Sequence, residues 1–257
     1  MTTYYFLAAA LPELAIGEPP EISFHVLSLL LRLNLKPADL HFADVLRRFY
    51  DITNVRAFWR EKPLEHYGTL SENDLEEAIL TGEGLPEYVY DFLEKYVSPK
   101  ERFDAFPNLL MTYFREEMKS KNWFVQTYLR FEWECRLVLM AMRAKQMQRD
   151  VSLELHAFDD PLVSLILAQK DAKRFEPPER FSKLKTLFSD HCEDPKKMHQ
   201  ALCEYRFKEI EKMYGIQTLS LDRILAYMMQ LILVEKYLQL DKEKGLGMID
   251  EKVRKVQ

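Results

Sequence analysis

One stretch without glycine or proline, residues 122–150, constrains the fold of this chain more than any other. Its length and its content of Leu, Met, Arg, Gln and Ala favour a single unbroken helix. At 100° per residue this helix has two apolar faces, separated by narrow polar stripes. One face carries Phe124, Tyr128, Phe131, Cys135, Val138, Leu139 and Met142, and the other carries Leu129, Trp133, Met140 and Met147. We therefore expect the helix to lie between two layers of other helices, or to bury its second face in a dimer.

The polar stripes of this helix predict ion pairs within it. Arg130 and Glu134 are four residues apart, as are Glu132 and Arg136. Oppositely charged side chains at this spacing are neighbours on a helix surface. Ion pairing therefore accounts for the two carboxylates without a catalytic role.

The composition favours an all-α fold. Seven glycines in 257 residues is well below the usual share of about 7%, which argues against glycine-rich phosphate loops and turn-dense β architecture. The apolar periodicity and the helix-start signals indicate about ten helices. Because no clear linker interrupts them, we predict a single all-helical domain over residues 1–257.

Charge and cysteine usage exclude several classes of protein. A net charge of −5 does not provide the clustered Lys and Arg on which nucleic-acid affinity depends, so no nucleic-acid partner is expected. Cys135, Cys192 and Cys203 are widely spaced, as expected for reduced thiols in the cytosol.

The apolar runs predict neither a signal peptide nor a membrane span. The first run has no preceding Lys or Arg, and the longest later run, residues 224–234, is far shorter than the roughly 20 residues needed to span a bilayer. We expect a soluble chain.

Capping residues and prolines predict where the helices begin. The predicted starts are Ser23, Pro37, Ser71, Pro86, Asn108, Asn122, Asp160, Pro177, Asp194 and Ser220, with a last short helix over residues 248–256. Gly82 ends one helix, and Gly215 suits a left-handed cap of another. Residues 4–11 are apolar without alternation, so both a short buried strand and the start of a helix fit them.

The helix predicted from Pro37 to about residue 61 has polar residues in its middle. Asp51, Thr53 and Asn54 compete for backbone hydrogen bonds and lower the helix propensity, so something else must favour them there. The spacing of charges along this helix predicts pairs of Arg48 with Asp44 and with Asp51.

Residues 61–104 are the most acidic part of the chain, with twelve Asp or Glu against four Lys or Arg. The two short helices predicted there begin at Ser71 and Pro86. We expect them to form a peripheral acidic helical pair.

One group of residues has the composition of a metal site. His191, Cys192, His199 and Cys203 are the candidate ligands, since His199 and Cys203 are four residues apart and share a helix face. The group lacks the two tight ligand pairs of structural zinc sites, and buried Cys is commonly a small apolar residue. No GxSxG and no carboxylate motif of a di-iron bundle is present. We therefore predict no metal, no cofactor and no catalytic residue, and keep a metal-dependent helical-bundle enzyme as an alternative.

Three stretches resemble a known family. Residues 4–14 (YYFLAAALPEL), residues 50–62 (YDITNVRAFWREK) and residues 220–253 are similar to a bacterial family encoded among V-type ATPase subunits in chlamydiae and Bacteroidetes. That family in turn distantly resembles the central-stalk subunit that is designated C in V/A-type ATPases and d in eukaryotes.

The wider resemblance rests on few residues. Asp51, Asn54, Val55 and Arg60 match a D-x-x-N-hydrophobic…R pattern, and Glu235 belongs to a similar C-terminal ending. A loose internal repeat relates this region to the long helix 83 positions later, where the Asn is absent.

The resemblance implies an all-helical, funnel-like protein with pseudo-threefold repeats. Such a protein would be a non-catalytic central-stalk subunit that links the rotor shaft to the membrane rotor ring. Its partners would be other V-type ATPase subunits, and it would reach the cytoplasmic face of the plasma membrane only through the complex. An alternative from another class is a soluble helical scaffold or regulator that binds partner helices through residues 61–104.

Overall fold

The computed structural model describes residues 4–156, 158–172, 175–214 and 219–239, which form twelve α-helices. They are α1 (Tyr5–Ala10), α2 (Phe24–Asn34), α3 (Pro37–Phe58), α4 (Glu72–Thr81), α5 (Glu87–Lys95), α6 (Pro99–Glu117), α7 (Trp123–Gln146), α8 (Val151–Leu155), α9 (Pro161–Leu167), α10 (Ser182–His191), α11 (Pro195–Tyr214) and α12 (Leu221–Gln239). A 3-10 helix, Glu179–Phe181, precedes α10. No strand occurs among the described residues, and the all-α prediction is confirmed.

Contacts divide the chain into two compact units. The middle unit, Lys36–Glu179, contains α3 to α9. The terminal unit combines the described residues of Met1–Leu35 and Arg180–Gln257, and contains α1, α2 and α10 to α12. That the whole chain forms a single helical domain with funnel-like repeats remains a prediction.

Helix α7 organises the middle unit, where it packs against α3, α6, α8 and α9. Asn122 caps it, because its Oδ1 accepts a hydrogen bond of 2.9 Å from the N–H of Val125. Both predicted faces of this helix carry buried residues: Phe124, Tyr128, Cys135, Val138, Leu139 and Met142 on one face, and Leu129 and Trp133 on the other. Phe131 and Met140, which were also predicted on these faces, are only half-buried. The helix ends at Gln146 and not at residue 150, because Gln148 takes a left-handed conformation with φ of 55°. Met147 is consequently exposed.

The polar stripes of α7 differ in part from the prediction. Glu132 is buried and pairs with Arg136 at 3.5 Å, as predicted. Arg130 reaches outside the helix and pairs with Asp160 at 3.4 Å. Asp160 also accepts a hydrogen bond of 2.9 Å from the indole Nε1 of Trp133, so one carboxylate ties α9 to two side chains of α7.

Helix α6 begins at Pro99, nine residues before the predicted start at Asn108. A capping box starts it: Ser98 Oγ accepts from the N–H of Glu101, and the Glu101 carboxylate accepts from the N–H of Ser98, both at 3.2 Å. Pro107 lies inside the helix and cannot donate to the carbonyl four residues earlier. The predicted start is wrong because the capping box and buried apolar residues on both sides of Pro107 outweigh this lost bond.

The two helices predicted in the acidic segment are confirmed. Ser71 and Asp74 form a capping box at the start of α4, and Gly82, with φ of 77°, ends it in the left-handed region. Helix α5 begins after Pro86 and packs against α6. Helix α8, which was not predicted, is capped by Asp150, whose Oδ1 accepts a hydrogen bond of 2.8 Å from the N–H of Ser152.

Helix α12 forms the core of the terminal unit, with every residue from 224 to 234 buried. It packs against α11, α2 and α1. Residues 5–10 are helical, which decides between the two interpretations of the N-terminal apolar run. The predicted cap at Gly215 and the predicted helix over residues 248–256 lie outside the described residues.

Candidate functional site

Three polar side chains of α3 are buried on one face of the helix. Arg47, Asp51 and Asn54 are each at most 5% exposed, and their spacing of four and three residues aligns them along the helix axis. We call them the α3 polar stripe. Buried polar groups require hydrogen-bond partners, and residues 65–70, which we call the 65–70 loop, supply them.

Asp51 and Asn54 bind backbone groups of this loop. Asp51 Oδ1 accepts from the N–H of Thr69 at 2.7 Å and from that of Leu70 at 3.2 Å, while its Oδ2 accepts from the Thr69 hydroxyl at 2.7 Å. Asn54 makes two bonds of 2.8 Å with the main chain of Glu65, donating to its carbonyl and accepting from its N–H. These bonds explain why residues of low helix propensity lie in the middle of α3.

Arg47 completes the stripe. Its Nε donates to the carbonyl of Tyr67 at 3.0 Å, and its guanidinium also donates to the carbonyl of Gly68. Gly68 allows the loop to come this close, because a Cβ there would lie 2.3 Å from Asp51 Oδ1. The loop conformation therefore depends on both the polar stripe and a glycine.

Burial sets the electrostatics of Asp51. Removal from water raises the pKa of its carboxyl above the ordinary value, although the hydrogen bonds from Thr69 and Leu70 and the charge of Arg47 oppose that rise. Ionisation of Asp51 therefore costs more free energy in the folded protein than in water. Both of its oxygens accept hydrogen bonds from the 65–70 loop, so the group fixes this loop to α3.

Arg48 belongs to a second polar group. It pairs with Glu117 of α6 at 2.5 Å, and the hydroxyl of Tyr88 on α5 donates to the same carboxylate oxygen at 3.0 Å. The predicted pairs of Arg48 with Asp44 and Asp51 are wrong, because Glu117 lies closer in the packed helices. Burial lowers the pKa of Arg48, but the charge and hydrogen bond of Glu117 outweigh it and the net shift is upward.

A polar cleft of about 560 Å³ lies beside the two groups. It is lined by Asp44, Arg48, Asp51, Thr69, Gly84, Leu85 and Pro86. Arg48 and Asp51 are engaged in the bonds described above, and Asp44 lies 3.8 Å from the guanidinium of Arg47. The cleft is therefore a polar recess lined partly by side chains that already have partners.

The other motif residues of α3 differ in exposure. Val55 is buried in the core, whereas Arg60, just beyond the helix, is exposed. The guanidinium of Arg60 lies 4.8 Å from the ring centroid of Phe103, and that of Arg56 lies 4.5 Å from the ring of Phe106. Burial, and secondarily the charge of Arg60, lowers the pKa of Arg56. The end of α3 therefore presents two neighbouring cations held on aromatic rings.

Glu235, the motif residue of the terminal unit, is a helix cap. Its Oε1 accepts a hydrogen bond of 2.7 Å from the N–H of Phe24, the first residue of α2. A carboxylate at this position satisfies a free N–H and complements the helix dipole. Glu235 thus joins α12 to the start of α2.

Two of the candidate metal ligands contact each other. His199 Nε2 lies 3.5 Å from Cys203 Sγ and 3.2 Å from the carbonyl oxygen of Lys236. His191 ends α10, and Cys192 follows it. Within the described residues no group of three or more His, Cys, Asp or Glu side chains is arranged to hold a metal ion.

Sequence reasoning missed Arg47, Gly68 and the partners of Arg48. The spacing of Arg47, Asp51 and Asn54 was a usable signal, because three polar residues on one face of a long helix require partners. Their partners lie up to 21 residues away in the chain and carry no motif. Gly68 had a weaker signal, as one of only seven glycines.

Comparison with known proteins identifies the family. The sequence family described as "Protein of unknown function (DUF2764)" matches residues 1–256. An "Uncharacterized protein" of Chlamydia trachomatis serovar D is 30% identical over 258 residues, covering 97% of both chains, and one of Chlamydia muridarum gives the same values. A relative from Chlamydia pneumoniae is 32% identical over 219 residues, covering 82% of both chains. No solved structure gave a significant match.

The match extends over nearly the whole chain, and the protein belongs to the DUF2764 family. The predicted resemblance to a bacterial family with chlamydial members is confirmed at this level.

Proposed function

We propose that this protein is a non-catalytic coupling subunit in the central stalk of a V/A-type ATPase, where it links the rotor shaft to the membrane rotor ring. The resemblance of Asp51, Asn54, Val55 and Arg60 to the pattern of the known stalk subunit motivates the proposal. Its partners are the shaft and ring subunits. Its place is the cytoplasmic face of the plasma membrane, within the complex.

The geometry of the motif is the observation that supports this function best. Asp51 and Asn54 fix the 65–70 loop to α3, and Arg60 lies exposed just beyond the end of this helix. A protein that couples two partners must transmit force through elements that do not deform, and it must offer exposed groups to those partners. The motif combines both properties in α3 and the turn that follows it.

Attachment through partners also agrees with the hydropathy of the helices. None of the helices in the described ranges is long and apolar enough to cross a membrane. In the proposed function, contact with the membrane is made by the ring.

Co-purification from native membranes tests the proposal. Protein tagged at its chromosomal locus and extracted in mild detergent at low salt is expected to recover the shaft subunits and the rotor ring. Recovery of neither, from membranes in which the remaining ATPase stays assembled, contradicts it.

A pair of matched variants locates the contact. Arg60→Glu reverses an exposed charge and is expected to weaken recovery of the partners or to uncouple ATP hydrolysis from pumping. The control neutralises Glu72, Glu76 and Glu77 on the exposed face of α4 and is expected to change neither. Asp74 is left intact because it caps α4.

The second candidate, a helical scaffold or regulator, is favoured by a different observation. Leu80 is 79% exposed on α4, among exposed carboxylates. A partner helix with basic and apolar residues suits such a surface. If partners are lost on neutralising Glu72, Glu76 and Glu77 and retained in Arg60→Glu, the scaffold function replaces the coupling function.

A further inference from the structure

Two cations at the end of α3 have no carboxylate partner within the part of the chain that the structure describes. Arg56 is half-buried and Arg60 is exposed. Their guanidiniums lie over the rings of Phe106 and Phe103 of α6, respectively, and neither makes an ion pair or a side-chain hydrogen bond with a described residue. The pKa of Arg56 is lowered by burial and also by the charge of Arg60, so the two cations repel each other.

The aromatic rings position these guanidiniums without neutralising them. A ring attracts a cation through its quadrupole, but it carries no net charge and has no lone pair for the N–H groups. The N–H groups of a guanidinium form a planar fork that matches the two oxygens of a carboxylate. Arg56 and Arg60 therefore present two such forks to an acceptor from outside the described chain.

A third guanidinium in the same cluster has acceptors. Arg102 lies 5.5 Å from the ring of Trp59, which meets Phe103 edge to face at 6.0 Å. It donates to the carbonyl of Tyr96 at 2.7 Å and to that of Leu93 at 3.3 Å. Because carbonyl groups carry no net charge, Arg102 adds a third positive charge to the cluster.

The rings also set the spacing of the two cations that lack acceptors. Phe103 and Phe106 are three residues apart in α6, so they are neighbours on one face of the helix, with their Cβ atoms about 5–6 Å apart. Two acidic residues three or four positions apart on another helix have the same spacing. A pair of carboxylates on one face of a helix therefore matches this pair of cations.

The surrounding charge favours a protein over an extended polyanion. The chain has a net charge of −5, and residues 61–104, which follow Arg60, carry twelve Asp or Glu against four Lys or Arg. An anionic lipid surface or a nucleic acid would extend beyond the cluster and meet this acidic segment. Trp59 and Phe103 are half-buried beside the cations, and Trp and Arg are enriched at the centres of protein interfaces.

We infer that Arg56 and Arg60 bind two carboxylates that lie one turn apart on a helix of a partner protein. Each guanidinium donates to one carboxylate, and Trp59 and Phe103 contact apolar residues next to them. The inference rests on the proposed function, because it specifies the chemistry of the shaft or ring surface that the end of α3 contacts. That surface carries Asp or Glu at positions three or four residues apart.

Charge removal tests the inference in co-purification from native membranes. Arg56→Gln combined with Arg60→Gln removes both cations but keeps polar side chains. The control, Arg32→Gln combined with Arg115→Gln, removes the same charge from two exposed positions. The first variant is expected to recover the shaft and ring subunits several-fold less than the wild type, whereas the control is expected to recover them equally well.

Zero-length crosslinking identifies the acceptor. The Arg60→Lys variant keeps a cation at this position, and a carbodiimide joins an ammonium group to a carboxylate in contact with it as an amide, with loss of water. Peptide mass spectrometry is expected to find position 60 joined to an Asp or Glu of a shaft or ring subunit that has a second acidic residue three or four positions away. Arg32→Lys is the control and is expected to form no amide with these subunits.

The outcomes separate the inference from the proposed function. If the wild type recovers the shaft and ring subunits and the Arg56→Gln, Arg60→Gln variant recovers them equally well, the inference alone is wrong. Position 60 joined only to a carboxylate of its own chain, or to none, also overturns it. Loss of the partners without such an amide would indicate another anion, such as a lipid phosphate. If the wild type recovers neither subunit, both the inference and the proposed function are wrong.

Discussion

Asp51 and Thr69 are joined by two hydrogen bonds of 2.7 Å, one from the backbone N–H and one from the hydroxyl of Thr69. They connect the middle of α3 to a loop residue 18 positions further along the chain. The carboxylate provides the loop with acceptors that no strand or helix partner supplies there. The stability of this part of the middle unit therefore depends on a few named groups.

Removal of the Asp51 carboxylate is expected to destabilise the protein strongly. Asp51→Ala leaves the N–H groups of Thr69 and Leu70 without their acceptor, and unpaired buried donors cost about 1–3 kcal/mol each. We expect the free energy of unfolding in urea to fall by about 3 kcal/mol. Asp91→Ala, which removes an exposed carboxylate from α5, is the control and is expected to change it by less than about 0.5 kcal/mol. Equal effects of the two substitutions contradict the structural role of Asp51.

The contribution of Asp51 is expected to depend on pH. Its folded pKa is raised above the ordinary value of 3.8, chiefly by burial, so between the two pKa values the folded state binds more protons than the unfolded state. The stability due to this titration is fully present below the unfolded pKa and is lost as the pH rises through the folded pKa. Asp51→Asn removes the titration. Urea unfolding of both proteins from acidic to neutral pH should therefore show the wild type losing stability relative to Asp51→Asn, and a relative gain contradicts this sign.

A methyl group at Gly68 is expected to disrupt the same contact. Its Cβ would lie 2.3 Å from Asp51 Oδ1, and overpacking of this kind costs about 1–3 kcal/mol. Because both substitutions act on one contact, Gly68→Ala combined with Asp51→Ala should cost less than the sum of the two single substitutions. A double-mutant cycle of unfolding free energies measures the difference, and strict additivity would place the clash elsewhere.

Trp133 and Trp123 of α7 provide a matched pair for testing the packing of this helix. Trp133 is 7% exposed, lies against Phe114 and Phe158 and donates to Asp160, whereas Trp123 is 56% exposed. Trp133→Ala is expected to lower the free energy of unfolding by about 3–5 kcal/mol. Trp123→Ala is expected to lower it by less than about 1 kcal/mol. Similar thermal midpoints for the two variants contradict the burial of the second face of α7.

The elements that sequence reasoning predicted well depend on local signals. Asn122, Ser23, Ser71 and Ser220 act as caps through side chains that bind N–H groups three residues away, and these patterns are visible in the sequence. The two-faced character of α7 is likewise a property of residue spacing. Local chemistry and packing favour the same structure in these elements, so the pattern of capping residues and apolar spacing was sufficient to predict them.

The site could be predicted only in part, because its bonds are long-range. Asp51 and Asn54 were recognised as unusual within a helix, but the loop they bind is separated from them by a stretch without a motif. Arg48 was assigned to carboxylates on its own helix, whereas Glu117 lies 69 residues away and reaches it only after α3 and α6 pack together. The early start of α6 was missed for a related reason, since the burial that outweighs Pro107 is a tertiary effect.

The terminal unit combines two segments that lie on either side of the middle unit in the chain, and this order affects folding during synthesis. Helix α2 leaves the ribosome early, but α12, which packs on it and whose Glu235 caps its first N–H, lies beyond the whole middle unit. At about 5–20 residues per second, translation of Lys36–Glu179 takes on the order of ten seconds. By the end of this interval the middle unit has been synthesised completely, whereas α12, against which the apolar residues of α2 pack, has not yet been synthesised. The apolar residues of α2 are thus without their α12 partners in the nascent chain throughout this interval.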